Sequence, residues 1–173
     1  MDEKLFSGSI KEDIEQVMEC SRLYEAAPFD SVAISLQNPD QVITLQNVFN
    51  FCQTAFVSTT LRMPMETIEL RTPGRVWRDR HKIDANDVVA HSVFIAAILD
   101  SLKIEYFFRF AAFHNRVDPQ HVYVVAVVGD KNYILDLSFD KFNTEAKGIT
   151  GKLDKKPGPP RHAIPEPSKY SAD

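Results

Sequence analysis

Apolar residues recur at helical spacing near the start of the chain, where Ile10, Ile14, Val17, Met18 and Leu23 fall on one side of a helical wheel. Ser9 stands three residues before Glu12, the pattern in which a hydroxyl and a carboxylate each bond the other's backbone N–H at a helix start, so a helix is predicted from residue 9 to about 25. Beyond Pro28, the run Ser31-Val32-Ala33-Ile34-Ser35-Leu36 favours extended structure and reads as a short strand. Asn38-Pro39-Asp40 then supplies a turn and a carboxylate that can cap a helix carrying Val42, Leu45, Val48, Phe49, Cys52 and Phe56 on one face. Cys52 shares that apolar face and is expected to be a core thiol. Residues 58–73, with Pro64 and Pro73, read as a long connection.

The pattern changes at Val88. From there to Leu102 the chain is apolar on most sides, as a helix enclosed by other elements must be. Three β-rich segments follow, Ile104 to Phe113, His121 to Val128 and Tyr133 to Phe139, the last two joined by the turn sequence Gly129-Asp130-Lys131-Asn132. If Gly129 and Asp130 are the central turn residues, Tyr123 lies opposite Asp136. His121 and Asp136 then share a face on the diagonal, at roughly 7 to 8 Å between backbones, a gap that side chains can close. A buried helix followed by antiparallel strands predicts an α+β fold, with the helix packed on the sheet. Five of the ten prolines fall in the last 23 residues, so the predicted organisation is one domain over 1–150 and a Pro-rich tail over 151–173.

Composition narrows the function classes. The chain has 173 residues, 44% hydrophobic and 25% charged, which suits one globular domain. A formal charge of −4 offers no basic face for nucleic acid. The two cysteines, Cys20 and Cys52, lack CxxC spacing and a neighbouring His pair, so neither a disulfide framework nor structural zinc is expected and a reducing compartment fits. No apolar run approaches the ~18 residues of a membrane span, and Met1-Asp2-Glu3-Lys4 does not open a cleaved signal, so a soluble cytoplasmic protein with no membrane partner is expected. The six glycines form no phosphate-cradling loop and no acidic run resembles a calcium loop, so no cofactor and no metal are expected.

Two places carry candidate chemistry. Asp84-Ala85-Asn86-Asp87 precedes the central helix, whose N-terminus offers unpaired N–H groups and positive dipole character that favour a thiolate or an oxyanion. His121 and Asp136 form the other, since a carboxylate on one imidazole nitrogen fixes the tautomer and leaves the second nitrogen to act. His91, inside the apolar helix, has no carboxylate or second His at i+4 and reads as a partly buried polar residue rather than a metal ligand.

Taken together, these segments resemble the transglutaminase-like domains of the papain-type cysteine superfamily, small stand-alone members of which occur in bacteria and bacteriophages. The resemblance runs from Arg71 to Lys147. It is carried by Arg71-Thr72-Pro73, Trp77-Arg78-Asp79-Arg80, Asp84-Ala85-Asn86-Asp87 with the helix after it, Arg109-Phe110, His121-Val122-Tyr123-Val124, Ile134-Leu135-Asp136 and Asp140-Lys141-Phe142-Asn143. It implies a papain-like core with a nucleophilic Cys at the helix start, a His base and an Asp that orients it. His121 and Asp136 match the last two. The nucleophile position is Ala85, the Gly before the first acidic residue is Ile83, and the Pro often found after the Asp is Leu137. A methyl group cannot form a thioester, so the chain as written lacks the group its base would activate.

Two origins for Ala85 stand open: natural loss of the nucleophile, or replacement of Cys in an otherwise active Cys-His-Asp acyl-transfer enzyme. The resemblance implies a cleft lined by Trp77, Asp84, Asp87 and His114 that takes a peptide or protein ligand. The tail is a candidate docking arm for an assembly partner, and a phage-borne protein of this kind is expected in the virion.

Overall fold

The computed structural model describes residues 10–24, 26–56, 70–83, 87–158 and 161–162. In chain order these form α1 (Ile10–Arg22), β1 (Leu23–Tyr24), α2 (Ala26–Leu36), α3 (Gln41–Ala55), α4 (Pro73–Asp79), α5 (Val88–Leu102), β2 (Tyr106–Phe113), β3 (His121–Val128), β4 (Lys131–Leu135), β5 (Ile149–Lys155) and β6 (Arg161–His162). A helical layer over an antiparallel sheet gives the α+β class. The expected connection over 58–73 falls mostly outside the described residues, as does Ser9.

α5 is the centre. Every residue from Val88 to Leu99 is buried, which explains a sequence apolar all round. Its start is fixed by the Asp87 side chain, which accepts the Ala90 N–H. At its end Lys103 turns left-handed at φ 56, so that the N–H groups of Lys103 and Ile104 return to the carbonyls of Asp100 and Leu99.

The main sheet has strand order β4-β3-β2-β5, all antiparallel. Alternation sends Phe108, Phe110, Val122, Val124 and Leu135 toward α5, while Phe107, Ala111, Tyr123 and Val125 form a smaller cluster on the other face. β4 and β5 are opposite edges, so residues 136–148 must pass from one side of the sheet to the other. Along the way Asn143, at φ 58, seals the outer edge of β4: its side-chain oxygen accepts the Ile134 N–H and its own N–H donates to the Ile134 carbonyl.

Several expectations are corrected. Ser31–Leu36 is the second half of helix α2, not a strand. Phe29 and Ala33, four residues apart, are buried on one side of it, and Phe29 meets Phe94 of α5 edge-on, so tertiary packing overrides local β preference. The first helix stops at Arg22 and the last β-rich segment at Leu135, where Asp136 opens a turn by accepting the Ser138 N–H. Thr72 and Pro73 start a short helix inside the expected connection: the Thr72 hydroxyl accepts the Arg75 N–H, and Pro73 takes the first helical position.

The tail also starts later than expected. Gly151–Lys155 belong to β5, paired with Phe108–Ala112, and Arg109 fastens the strand with two bonds to Asp154. Further on, Arg161 and His162 pair in parallel with Leu23 and Tyr24, which ties the chain beyond β5 back to the end of α1. Residues 159–160 and 163–173 lie outside the described residues.

The same end of the molecule holds a buried ionic knot. Arg22 donates to both oxygens of Asp100, at 2.9 and 3.2 Å, and to the Tyr106 hydroxyl at 2.6 Å, joining α1, α5 and β2. Each side chain of the ion pair is 8% exposed, so losing one partner strands a buried charge. Arg22→Met is expected to lower unfolding free energy in urea by about 3 kcal/mol, and Arg22→Met with Asp100→Leu to recover most of it. A single variant within about 0.5 kcal/mol of the parent contradicts this role.

Candidate functional site at the end of the sheet

The β3–β4 hairpin pairs Val128 with Lys131 and Val124 with Leu135, the register expected for a turn centred on Gly129 and Asp130. With Leu135 in the core, alternation places Asp136 on the face that carries His121. The outcome is closer than backbone spacing alone requires. His121 Nε2 lies 2.6 Å from Asp136 Oδ2, and the two side chains are 6% and 2% exposed.

The remaining oxygen of Asp136 accepts the Ser138 N–H at 3.0 Å, so both carboxylate oxygens have partners and the imidazole is held from below. Bonding Asp136 through Nε2 leaves Nδ1 as the nitrogen that can serve a second group. Tyr123, next on the same face, sets its ring 5.4 Å from the imidazole.

The N-terminal half of α5 reaches this end of the sheet. Ser92 Oγ donates to the Val122 carbonyl at 3.2 Å, and a shallow recess lies between Val88, His91 and Ser92 on the helix and Leu135, Asp136 and Leu137 on the hairpin. At the head of the helix, buried Asp87 caps the first turn and accepts a bond from Arg71 at 3.1 Å. Asp84 and Ala85 lie outside the described residues.

The other candidates separate. Trp77 does not border the recess. Its ring stacks on Phe94 at 5.5 Å, within 3° of parallel, and Arg80 sits over the ring with the guanidinium carbon 3.9 Å from the centroid, so Trp77 is a packing residue. His91, expected to be only partly buried, is 5% exposed and packs on Phe56 at 4.7 Å, because the helix that carries it is enclosed on every side. His114 is exposed in the β2–β3 loop, which leads into His121. Cys52 is fully buried and burial pushes its thiol well above the ordinary range, so it is inert as a nucleophile. Among the described residues no group of three or more His, Cys, Asp or Glu side chains is arranged to hold a metal ion, and no helix is long and apolar enough to cross a membrane.

One polar cluster escapes sequence reasoning. On the face that carries His121, Arg109 sits opposite both Tyr123 and Asp154. Glu145, from the crossing segment, accepts from the Tyr123 hydroxyl at 2.5 Å, Arg109 at 3.0 Å and Lys152 at 2.9 Å. Partial burial works against ionisation of Glu145, but these three donors outweigh it and hold its carboxyl below the usual range. Tyr123 is pushed above the ordinary phenol range, first by burial and then by its bond to Glu145. Glu145 has no periodic or motif signal, because a loop crossing a sheet brings together residues that no local spacing relates.

Comparison with models of protein families gives no match, and neither does comparison with curated proteins or with solved structures.

Two outcomes follow from this geometry. His121→Ala leaves Asp136 buried with only the Ser138 N–H, so urea unfolding is expected to show a loss of about 1–3 kcal/mol, while Asp136→Asn, which keeps an acceptor, loses less. Equal losses contradict the pairing. Because the Glu145 carboxyl has a lower pKa folded than unfolded, its stabilisation is present above about 4.3 and is lost as pH falls through the folded value. Glu145→Gln is therefore expected to flatten stability against pH between about 5 and 3, measured by urea melts, and an unchanged slope contradicts it.

Proposed function

We propose that this chain is a papain-like, transglutaminase-like domain with Ala85 at the nucleophile position, acting as a non-catalytic protein that binds a peptide or protein segment at the His121–Asp136 end of the sheet. The observation that carries the reading is the buried 2.6 Å pair of His121, at the start of β3, and Asp136, just past the end of β4, beside the capped N-terminal half of a buried helix. Helix start, imidazole and carboxylate are the parts an acyl-transfer site of this superfamily uses, in the chain order that the resemblance implies. Ala85 removes the nucleophile and leaves the recess and its rim.

A protein of this kind has binding as its remaining function, either of a peptide in the old cleft or within an assembly such as a phage particle. The far end of the fold suits attachment. β6 pairs with β1 next to Arg22, and Arg22 bonds Asp100 near the C-terminal end of α5, while His121 lies toward the N-terminal end. A docking arm that leaves from β6 therefore starts away from the site.

The intact pair also favours a second reading, a Cys-His-Asp peptidase, deamidase or transamidase silenced by Cys to Ala at residue 85. In that enzyme His121 Nδ1 takes the thiol proton, the thiolate attacks an amide carbonyl, and the imidazolium returns the proton to the leaving amine. Water as second substrate hydrolyses the acyl-enzyme; an amine crosslinks it. Asp136 holds the ring throughout.

The pH dependence of iodoacetamide alkylation of Ala85→Cys, with and without His121→Ala, separates the two. The non-catalytic reading expects half-maximal reaction near the ordinary thiol value of about 8.5 and no response to His121→Ala. Rapid alkylation well below that value, lost on removing His121, overturns it in favour of the silenced enzyme.

A further inference from the structure

The two outer strands of the sheet end differently. β4 is closed by Asn143, which engages both the N–H and the carbonyl of Ile134. β5 is the other edge, and among the described residues no strand pairs with its far side. Gly151, Lys152, Leu153, Asp154 and Lys155 are all exposed. The direction of their backbone groups follows from the ladder. The Val127 N–H bonds the carbonyl of Glu105, just before β2, and successive residues of a strand turn their backbone groups to opposite sides. Odd residues of β2 therefore bond β3, and Phe108, Phe110 and Ala112 bond their partners Lys155, Leu153 and Gly151. That leaves the N–H and C=O of Lys152 and Asp154 pointing away from the sheet.

Lysines on an edge strand ordinarily repel a second strand. Here the charges are complementary to a second β5 in one register. Consider a copy running antiparallel about a twofold axis, with outward groups meeting outward groups. An axis at Lys152 sets lysine against lysine. An axis at Asp154 sets aspartate against aspartate and Lys152 against Lys156. An axis at Leu153 instead sets Lys152 opposite the partner's Asp154 and Asp154 opposite the partner's Lys152, each pair exchanging both backbone hydrogen bonds. These ion pairs displace nothing. Lys152 gives one N–H to Glu145 and has others left, and Asp154, bonded twice by Arg109, keeps lone pairs on both oxygens. On the α5 face Leu153, 38% exposed beside Phe110, meets its own copy at the closer, non-hydrogen-bonded spacing.

We infer that two copies of this chain pair through β5, antiparallel about a twofold axis at Leu153, and join their sheets edge to edge. The pairing is independent of the chemistry at His121 and Asp136. β4, which leads to Asp136, is the opposite edge, so the dimer presents two separate sites.

The test is analytical ultracentrifugation of the full chain from about 1 to 200 µM, the range in which a small edge-to-edge interface associates. The expected product has twice the 19.7 kDa mass of one chain. Lys152→Asp leaves two acids on the edge and Asp154→Lys two bases, so each variant alone faces like charge with like and is expected to dimerise about tenfold more weakly. An equimolar mixture of the two restores opposite charges in every pair and is expected to regain the parent's affinity.

A second measurement leaves every ionic contact in place. Leu153→Cys sets two thiols across the axis at a spacing a disulfide accepts, whereas Lys155→Cys, on the same face, lies opposite the partner's Gly151. Mild oxidation is expected to crosslink Leu153→Cys at least about fivefold more than Lys155→Cys, above the background from Cys20 and Cys52 in the parent. A monomer throughout the concentration range, a mixture no tighter than its separate variants, or equal crosslinking at the two positions overturns the inference. If either charge variant fails to fold, as circular dichroism would show, the crosslinking comparison decides.

Discussion

The register of one hairpin governs the site. Gly129, at φ 64, takes the first central position of a two-residue turn, where a side chain is strained, and Val128 pairs with Lys131 directly across it. From that point the pairing runs without slippage to Val124 and Leu135. Because Leu135 is in the core, Asp136 is on the outer face with His121, and the two close to a hydrogen bond. A slip of one residue would expose Leu135, forfeiting about 1.5–3 kcal/mol of burial, and turn the Asp136 carboxylate toward apolar side chains. The hydrophobic pattern and the site are thus enforced by the same constraint.

The rest of the fold holds that hairpin against α5. The helix is fixed at both ends by ionic contacts, Asp87 with Arg71 at its start and Asp100 with Arg22 and Tyr106 near its end, while its middle is buried on all sides. Ser92 ties the helix to β3 just after His121. On the opposite face the Arg109, Glu145 and Asp154 contacts connect the crossing segment and β5 to the central strands. For the buried pair of Arg22 and Asp100, losing either member strands the other's charge, which fixes the end of α5 against α1.

Much of this was legible in the sequence where a local rule and the tertiary structure agree. The span of α5 follows from its all-round apolar pattern, α3 from the Asp40 cap and the spacing of Leu45, Val48, Phe49 and Cys52, and the shared face of His121 and Asp136 from the register that holds if Gly129 and Asp130 centre the turn, which they do. Elements set by distant partners were not legible. Ser31–Leu36 has strand-like residues but lies in a helix that buries Phe29 and Ala33. β5, with Gly151, Lys152, Asp154 and Lys155, has poor strand propensity and is held by backbone pairing to β2 and by Arg109. The Glu145 cluster depends on contacts with Arg109 and Tyr123, far away in sequence, which periodicity does not encode.

The claim on which the rest depends is that the imidazole of His121 is preset, with its Nε2 committed to Asp136. Long-range proton–nitrogen NMR correlation on the histidine-labelled protein at neutral pH reads this directly, since the two ring nitrogens report separately which one bears hydrogen. The expected spectrum has His121 with its proton on Nε2, and Asp136→Ala releases the ring to exchange between tautomers. A proton fixed on Nδ1 instead, or a spectrum indifferent to loss of the carboxylate, would contradict the account.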